Sequence, residues 1–152
     1  MSVRKVIQSV EILMAEDDPE DQMLVRTAFE EAHLANKLRI VSNGEELMDY
    51  LNARGEYQEM PTPDLLLVDL NMPRKDGREA IREIKTDPAL QHIPIIVLTT
   101  SAAEEDILAS YRLGVSTYIR KPVTFEKLLD VVKTFSKYWF EIAELPNVEK
   151  AP

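Results

Sequence analysis

The chain has 152 residues, 45% of them hydrophobic and 30% charged, with 27 acidic against 18 basic side chains and a net charge of −9. That length suits one domain with a single sizeable core, and the acidity argues against a nucleic-acid backbone as partner, which needs clustered Lys and Arg. Cysteine is absent, which removes disulfides, thiolate catalysis and Cys-ligated zinc.

Residues 10–15 (VEILMA) form a short, nearly continuous apolar run, the pattern of a strand buried on both faces. Asp18 and Pro19 read as the N-cap and first position of a helix. Its inner side is expected to carry Met23, Leu24, Ala28 and either Phe29 or Ala32. A second short strand is expected at 38–41. Asn43 and Glu46 have capping-box spacing and open a helix to about Ala53, with Leu47, Tyr50 and Leu51 inward. Residues 54–63 are polar and hold Gly55, Pro61 and Pro63, so they read as a loop. It is longer than the roughly 2–6 residues usual for an αβ connection.

Residues 64–69 contain the strongest strand, LLLV. Asp76-Gly77 is a turn signal before a helix with Ala80, Ile81 and Ile84 inward, ended by Asp87-Pro88. Residues 94–99 (PIIVLT) form another buried strand. Ser101 and Glu104 repeat the capping-box spacing and open a helix to about Leu113, with Gly114 as its natural stop. Residues 116–120 form the fifth strand. From Thr124 a helix runs to about Glu144, with Leu128, Leu129, Val132, Phe135, Trp139 and Ile142 at i, i+3, i+4 spacing. Five strands alternating with five helices argue an α/β fold, a doubly wound parallel sheet. Residues 1–9 read as an extension and 146–152 as a flexible tail. No apolar run approaches ~18 residues and MSVRKVIQSVE is too polar for a signal peptide, so a cytoplasmic address with no membrane contact is expected.

Three polar signals sit where buried strands should end: Glu16-Asp17-Asp18, then Asp69, then Lys121-Pro122. Ligands of open α/β sheets bind at the carboxyl ends of strands. If the first and third strands are neighbours, Glu16, Asp17 and Asp69 lie side by side, and like carboxylates raise one another's pKa. A cation removes that penalty. An all-oxygen donor set selects a hard ion such as Mg²⁺, whereas His33 and His92 are too far apart in sequence for a ligand pair. The bland reading of the acidic triplet is helix capping, worth about 0.3–1 kcal/mol per charge. It suits Asp18 but leaves Asp69, at the end of four apolar residues, unexplained. Lys121 alone reads as a snorkelling surface lysine. Followed by Pro122 it marks a tight turn in which the peptide bond could be cis. Thr99-Thr100-Ser101 could supply hydroxyls to an oxyanion, although Ser101 also explains itself as an N-cap. Together these parts suit phosphoryl transfer to a carboxylate, a reaction that needs mainly positioning and electrostatic stabilisation.

ILMAEDDP, LLLVDLNMPRKDG, PIIVLTTSA and YIRKP resemble the four signature blocks of two-component response-regulator receiver domains, across roughly residues 10–140. The resemblance implies a receiver (response regulatory) domain over 10–145 with flavodoxin-like strand order 2-1-3-4-5. It implies Asp69 as phosphoacceptor, Asp17 as a direct Mg²⁺ ligand, Glu16 as its acidic neighbour and the backbone carbonyl of Asn71 as a third protein ligand. Mn²⁺ or Ca²⁺ could stand in for Mg²⁺. Thr99 and Lys121 match the phosphate-binding residues, and Tyr118 matches the aromatic switch. The implied protein is no enzyme beyond Mg²⁺-dependent self-phosphorylation and autodephosphorylation. The loop RGEYQEMPTPD, the stretch DLNMPRKDGREAIREIK and the tail KYWFEIAELP are most similar to single-domain regulators of bacterial and cyanobacterial phytochromes. The implied partner is therefore a sensor histidine kinase of the phytochrome type.

With no output domain expected after Lys121, output would run through protein contacts. Tyr138, Trp139 and Phe140 cannot all face one side of a helix. With Ile142 and Leu145 they suggest a homodimer through the last helix and tail, since exposed apolar patches mark interfaces; the bland reading is that Trp139 seals the core. A haloacid-type phosphatase is disfavoured because its second Asp would stand where Asn71 does. A flavodoxin-type cofactor binder is disfavoured by four glycines and no Gly-rich loop. A phosphorylation-independent pseudo-receiver adaptor is the alternative that the intact set Glu16, Asp17, Asp69, Thr99 and Lys121 opposes.

Overall fold

The computed structural model describes residues 11–34, 38–121, 124–135 and 137. Within them lie five parallel strands: β1 (Ile12–Ala15), β2 (Leu38–Val41), β3 (Leu65–Val68), β4 (Ile95–Thr99) and β5 (Thr117–Arg120). The helices are α1 (Pro19–Glu31), α2 (Gly44–Leu51), α3 (Gly77–Thr86), α4 (Glu104–Leu113) and α5 (Phe125–Phe135). The sheet order is β2-β1-β3-β4-β5, as the family resemblance implied. The chain leaves β1 toward β2 on one side and then crosses back to β3 on the other. The crevice beyond the carboxyl ends of β1 and β3 is therefore the place where such a sheet binds ligands.

Successive strand residues point to opposite faces, and both faces are covered. Leu13, Ala15, Leu66, Val68, Ile95 and Val97 pack with Leu47 of α2 and Ile81 and Ile84 of α3. Ile12, Met14, Leu65, Leu67, Ile96 and Leu98 pack with Val25 and Phe29 of α1 and Leu128 and Val132 of α5. This double cover is why the strands read as unbroken apolar runs. It is also why the edge strand β5, with Thr117 and Arg120 exposed, reads differently.

The helix starts follow their caps. Asp18 Oδ1 accepts from the Glu20 N–H at 2.9 Å, with Pro19 at the first helical position. Asn43 Oδ1 accepts from the Glu46 N–H at 2.8 Å, and Glu46 in return accepts from the Ser42 N–H at 2.8 Å. Two expectations are corrected. Met23 is 63% exposed, and the buried stripe of α1 is Val25, Ala28 and Phe29; Met23 lies about 200° round the helix from Val25 at 3.6 residues per turn. Ser101 does not cap α4. The helix begins at Glu104, so Ala103 occupies the cap position without a side-chain bond; the Ser101 hydroxyl, two residues earlier, accepts from the Ala103 N–H at 3.4 Å and donates to the Asp106 carboxylate at 2.6 Å, a charge-assisted bond. The long loop 54–63 contains a 3₁₀ turn, Gly55–Tyr57. Gly114 ends α4 in the left-handed region, at φ 99°.

Several expectations lie outside the described residues. They are the extension 1–9, the tail 146–152, the run of α5 beyond Phe135, the Lys121–Pro122 bond, and Tyr138, Trp139, Phe140, Ile142 and Leu145. Among the described residues no helix is long and apolar enough to cross a membrane.

The first residue of α3 has no room for a side chain. A Cβ on Gly77 would stand 2.1 Å from the Asp69 carbonyl oxygen and 2.7 Å from Leu70 Cα, both backbone atoms that cannot swing aside. Gly77→Ala is expected to destabilise the protein by about 1–3 kcal/mol, the usual range for overpacking. Urea-unfolding midpoints of wild type and variant measure it, and an unchanged midpoint would contradict the close packing of α3 on the end of β3.

Candidate functional site at the carboxyl edge of the sheet

Backbone bonds just past the strand ends set the site. The Glu16 N–H donates to the Val41 carbonyl at 3.0 Å, extending β1 along β2. The Asp69 N–H donates to the Ala15 carbonyl at 3.1 Å, and the Lys121 N–H to the Thr99 carbonyl at 2.7 Å. Glu16, Asp69 and Lys121 are thus the first residues beyond β1, β3 and β5, and Thr99 is the last residue of β4, which lies between β3 and β5. Their side chains project from a rigid edge rather than from loose loops.

Lys121 organises the cluster. Its side chain is 7% exposed, and its ammonium donates to Glu16 Oε1 at 2.5 Å, Asp21 Oδ2 at 2.7 Å and Asp69 Oδ2 at 3.3 Å. Burial alone would lower the lysine pKa, but the hydrogen bonds to Asp21 and Glu16 and the charge of Asp69 reverse this and push it up. The ammonium is therefore fixed as a cation at neutral pH. Glu16 is fully buried. Desolvation raises its pKa to about 7, opposed by the Lys121 hydrogen bond and reinforced by the charge of Asp69. One ammonium is shared among three carboxylates, so the site is short of positive charge.

Glu16, exposed Asp17 and buried Asp69 each place a carboxylate oxygen within 4.8 Å of the others. Such a purely oxygen donor set suits a hard divalent ion, and the deficit of positive charge gives it a reason to bind. The residues present therefore fit the ion that the sequence implied. Asn71 is anchored beside them, its N–H donating to Asp69 Oδ1 at 3.2 Å. Thr99 is fully buried, and its Oγ1 accepts from the Ser101 N–H at 3.4 Å. Half-buried Tyr118 donates its hydroxyl to the Ser101 carbonyl at 3.0 Å. Every predicted site residue within the described range lies at this edge, and among the described residues no buried side-chain nitrogen or oxygen lacks a partner.

Sequence reasoning missed two groups. Asp21 lies on α1, one turn beyond Asp17, and the signal available was an acid at that spacing from the triplet. The second is Arg78 with Asp106. The guanidinium Nε and Nη2 donate to the two carboxylate oxygens of Asp106, both at 2.7 Å. Nη1 reaches Asn71 Oδ1 at 3.3 Å and Asp76 Oδ2 at 3.0 Å. The two partners are 28 residues apart, and no local periodicity announces such a pair.

Comparison with known proteins agrees with this geometry. The family model of the response regulator receiver domain matches residues 12–133. Response regulator Rcp1 of Synechocystis sp. is 41% identical over 135 residues, covering 89% of this chain and 92% of that protein. A probable methanogenesis regulatory protein, FilR2 of Methanothrix harundinacea, is 34% identical over 84% of this chain and 82% of its own length. Among solved structures, the phosphorylated cyanobacterial phytochrome response regulator RcpA superposes with a TM-score of 0.82 at 41% identity, over 91% of this chain and 99% of that one. The Mn²⁺-bound form of Rcp1 superposes with a TM-score of 0.81 at 40% identity, over 90% and 99%. With the family model matching residues 12–133 and Rcp1 41% identical over most of both chains, the chain belongs to the response regulator receiver domain family.

Proposed function

We propose that this chain is a cytoplasmic phosphoacceptor of a two-component system, taking a phosphoryl group on Asp69 from a sensor histidine kinase of the phytochrome type. The observation that carries the reading is the Lys121 ammonium, fixed 3.3 Å from Asp69 Oδ2 inside a group of carboxylates. The phytochrome assignment rests on likeness to RcpA and to RPA3017, a regulator in red-light signalling of R. palustris, which is 32% identical. The domain is taken as 10–145. It does no chemistry on other molecules beyond accepting and losing phosphate.

In the transfer, an Asp69 carboxylate oxygen attacks the phosphorus of a phosphohistidine. The P–N bond breaks, the imidazole nitrogen leaves with the electron pair, and an acyl phosphate forms. Attack by water later returns Asp69 and inorganic phosphate. Glu16, Asp17, Asp69 and the Asn71 carbonyl would hold a divalent ion such as Mg²⁺, which would supply the charge neutralisation that lets anionic donor and anionic acceptor approach. Lys121 is already charged and desolvated, so its ammonium passes from carboxylate to phosphoryl oxygen with little reorganisation. Thr99 offers a second donor, and Tyr118 repacks as the Thr99 segment moves.

Incubation with acetyl phosphate and Mg²⁺ is expected to add one acid-labile, hydroxylamine-sensitive PO₃ unit, read by intact mass. Asp69→Asn is expected to show none. A wild type that never gains the increment would leave the pseudo-receiver adaptor in its place.

The raised pKa of Glu16 sets a pH dependence. A carboxyl whose folded pKa, about 7, lies above its ordinary 4.5 binds more proton when folded. Its contribution to stability is therefore present at low pH and is lost as pH rises through that window. In chelator, this contribution to the melting temperature should fall between those values. The rise produced by Mg²⁺ should grow over the same range and shrink in Glu16→Gln. A Mg²⁺ effect that is independent of pH would refute the assignment.

The proposed homodimer rests on the sequence of residues 138–145. Sedimentation of wild type is expected to give a dimer at tens of micromolar, within reach of typical interface affinities, and Trp139→Ala/Phe140→Ala a monomer. A wild type that remains monomeric even when phosphorylated removes the idea.

A further inference from the structure

Helix α4 is held in an unusual way. Its single buried residue is Ser110, and Leu108 and Tyr111 are 54% and 48% exposed. By contrast, α3 buries Ala80, Ile81 and Ile84. Its apolar hold on the core is limited to partly buried side chains such as Leu113, so α4 leans on polar ties. One is the Tyr111 hydroxyl, which accepts from the Tyr118 N–H at 3.1 Å. The larger tie is the two-pronged bond between Arg78, at the start of α3, and Asp106, in the first turn of α4, joined by the Ser101 hydroxyl.

Ser101 is the link to the functional site. Its N–H donates to the Thr99 hydroxyl, its carbonyl accepts from Tyr118, and its own hydroxyl donates to Asp106. The Thr99 hydroxyl accepts from the Ser101 N–H, so if the Thr99 side chain swings toward an oxyanion on Asp69 that bond stretches or breaks. Ser101 resists that change because Asp106 holds it, and Arg78 holds Asp106. On the other flank the same guanidinium touches Asn71, two residues after Asp69.

We propose that Arg78 is a positioning residue of this site: through Asp106 and Ser101 it holds the segment between β4 and α4 in the arrangement seen here, and so sets how readily Thr99 and Tyr118 rearrange when Asp69 is phosphorylated. The proposal rests on the phosphoacceptor reading above. An isolated surface ion pair would be worth little, but this one has parallel two-pronged geometry, which strengthens it. Asp106 is partly buried, at 17% side-chain exposure, and its pKa is held down at about 2, first by the Arg78 hydrogen bond and then by that of Ser101. The planar fork is needed; a lysine presents a point charge and cannot engage both oxygens in this way.

The consequence follows from linkage. A ligand that favours the rearranged state must break the clamp, and removing the clamp beforehand makes that ligand bind more tightly. The probe is beryllofluoride with Mg²⁺, which occupies a carboxylate oxygen as a tetrahedral phosphoryl mimic, titrated calorimetrically. Arg78→Gln/Asp106→Asn removes both charges of the clamp together, and the Asp76 carboxylate that loses its Arg78 contact is exposed to solvent, with 44% side-chain exposure. The double variant is expected to bind about tenfold more tightly than wild type, within the usual range of coupling between sites, while its urea midpoint falls. Ser101→Ala should shift affinity in the same direction, and Arg78→Lys should follow the double variant rather than wild type. A lower urea midpoint with unchanged affinity would make the clamp merely structural and overturn the proposal, as would weaker binding. Should wild type itself bind no beryllofluoride, the phosphoacceptor reading fails first and this one with it. If Arg78→Gln/Asp106→Asn does not fold, Ser101→Ala decides alone.

Discussion

The arrangement turns on one ammonium in a nest of carboxylates. Lys121 is the first residue past β5, Glu16 the first past β1 and Asp69 the first past β3, and the sheet brings all three to the same edge. Desolvation would discharge a buried lysine, and mutual repulsion would protonate crowded acids. Each tendency is checked by the other, and the lysine stays charged while Glu16 sits near neutrality in its pKa. The balance is incomplete, with three carboxylates to one cation. That deficit is what makes the site receptive to a divalent ion and to a group that carries its own charge in and out.

Rigidity and mobility are divided by how each element is anchored. The ends of β1, β3 and β4 are buried on both faces and pinned by ladder bonds, so the candidate site residues next to them are anchored to the sheet. The helix α4 stands at the other extreme, with little apolar area against the sheet and several polar bonds at its start. Apolar burial is non-directional and hard to trade away. Hydrogen bonds and ion pairs can be exchanged for others of similar strength. An element held chiefly by the second kind is the natural place for a charge change at Asp69 to be converted into a change of surface.

Much of this was legible in the sequence. The alternation of apolar runs with helix-period stretches, the caps at Asp18 and Asn43 and the stop at Gly114 are local effects, each settled within a few residues of chain. The order of acidic triplet, Asp69, Thr99 and Lys121 identified the family. The misreadings have equally local causes. Apolar residues at 23, 24, 25, 28 and 29 allow two helix phases, and only the sheet and α5 choose Val25 over Met23. Ser101 matched a capping box because spacing alone cannot reveal that the helix starts two residues later, with Ala103 at the cap.

The sequence alone therefore determined the elements, the class of fold and the candidate site residues, since these depend on short-range periodicity and on residue type. The tertiary structure alone decided that Asp21 shares Lys121 and that Arg78 grips Asp106. It also decided that α4 has polar ties at its start beside a modest apolar contact through Leu113. Those contacts join residues on different crossovers, 100 positions apart for Lys121 and Asp21 and 28 for Arg78 and Asp106. Their existence depends on where strand order and helix packing carry each side chain, and no window along the chain contains that information.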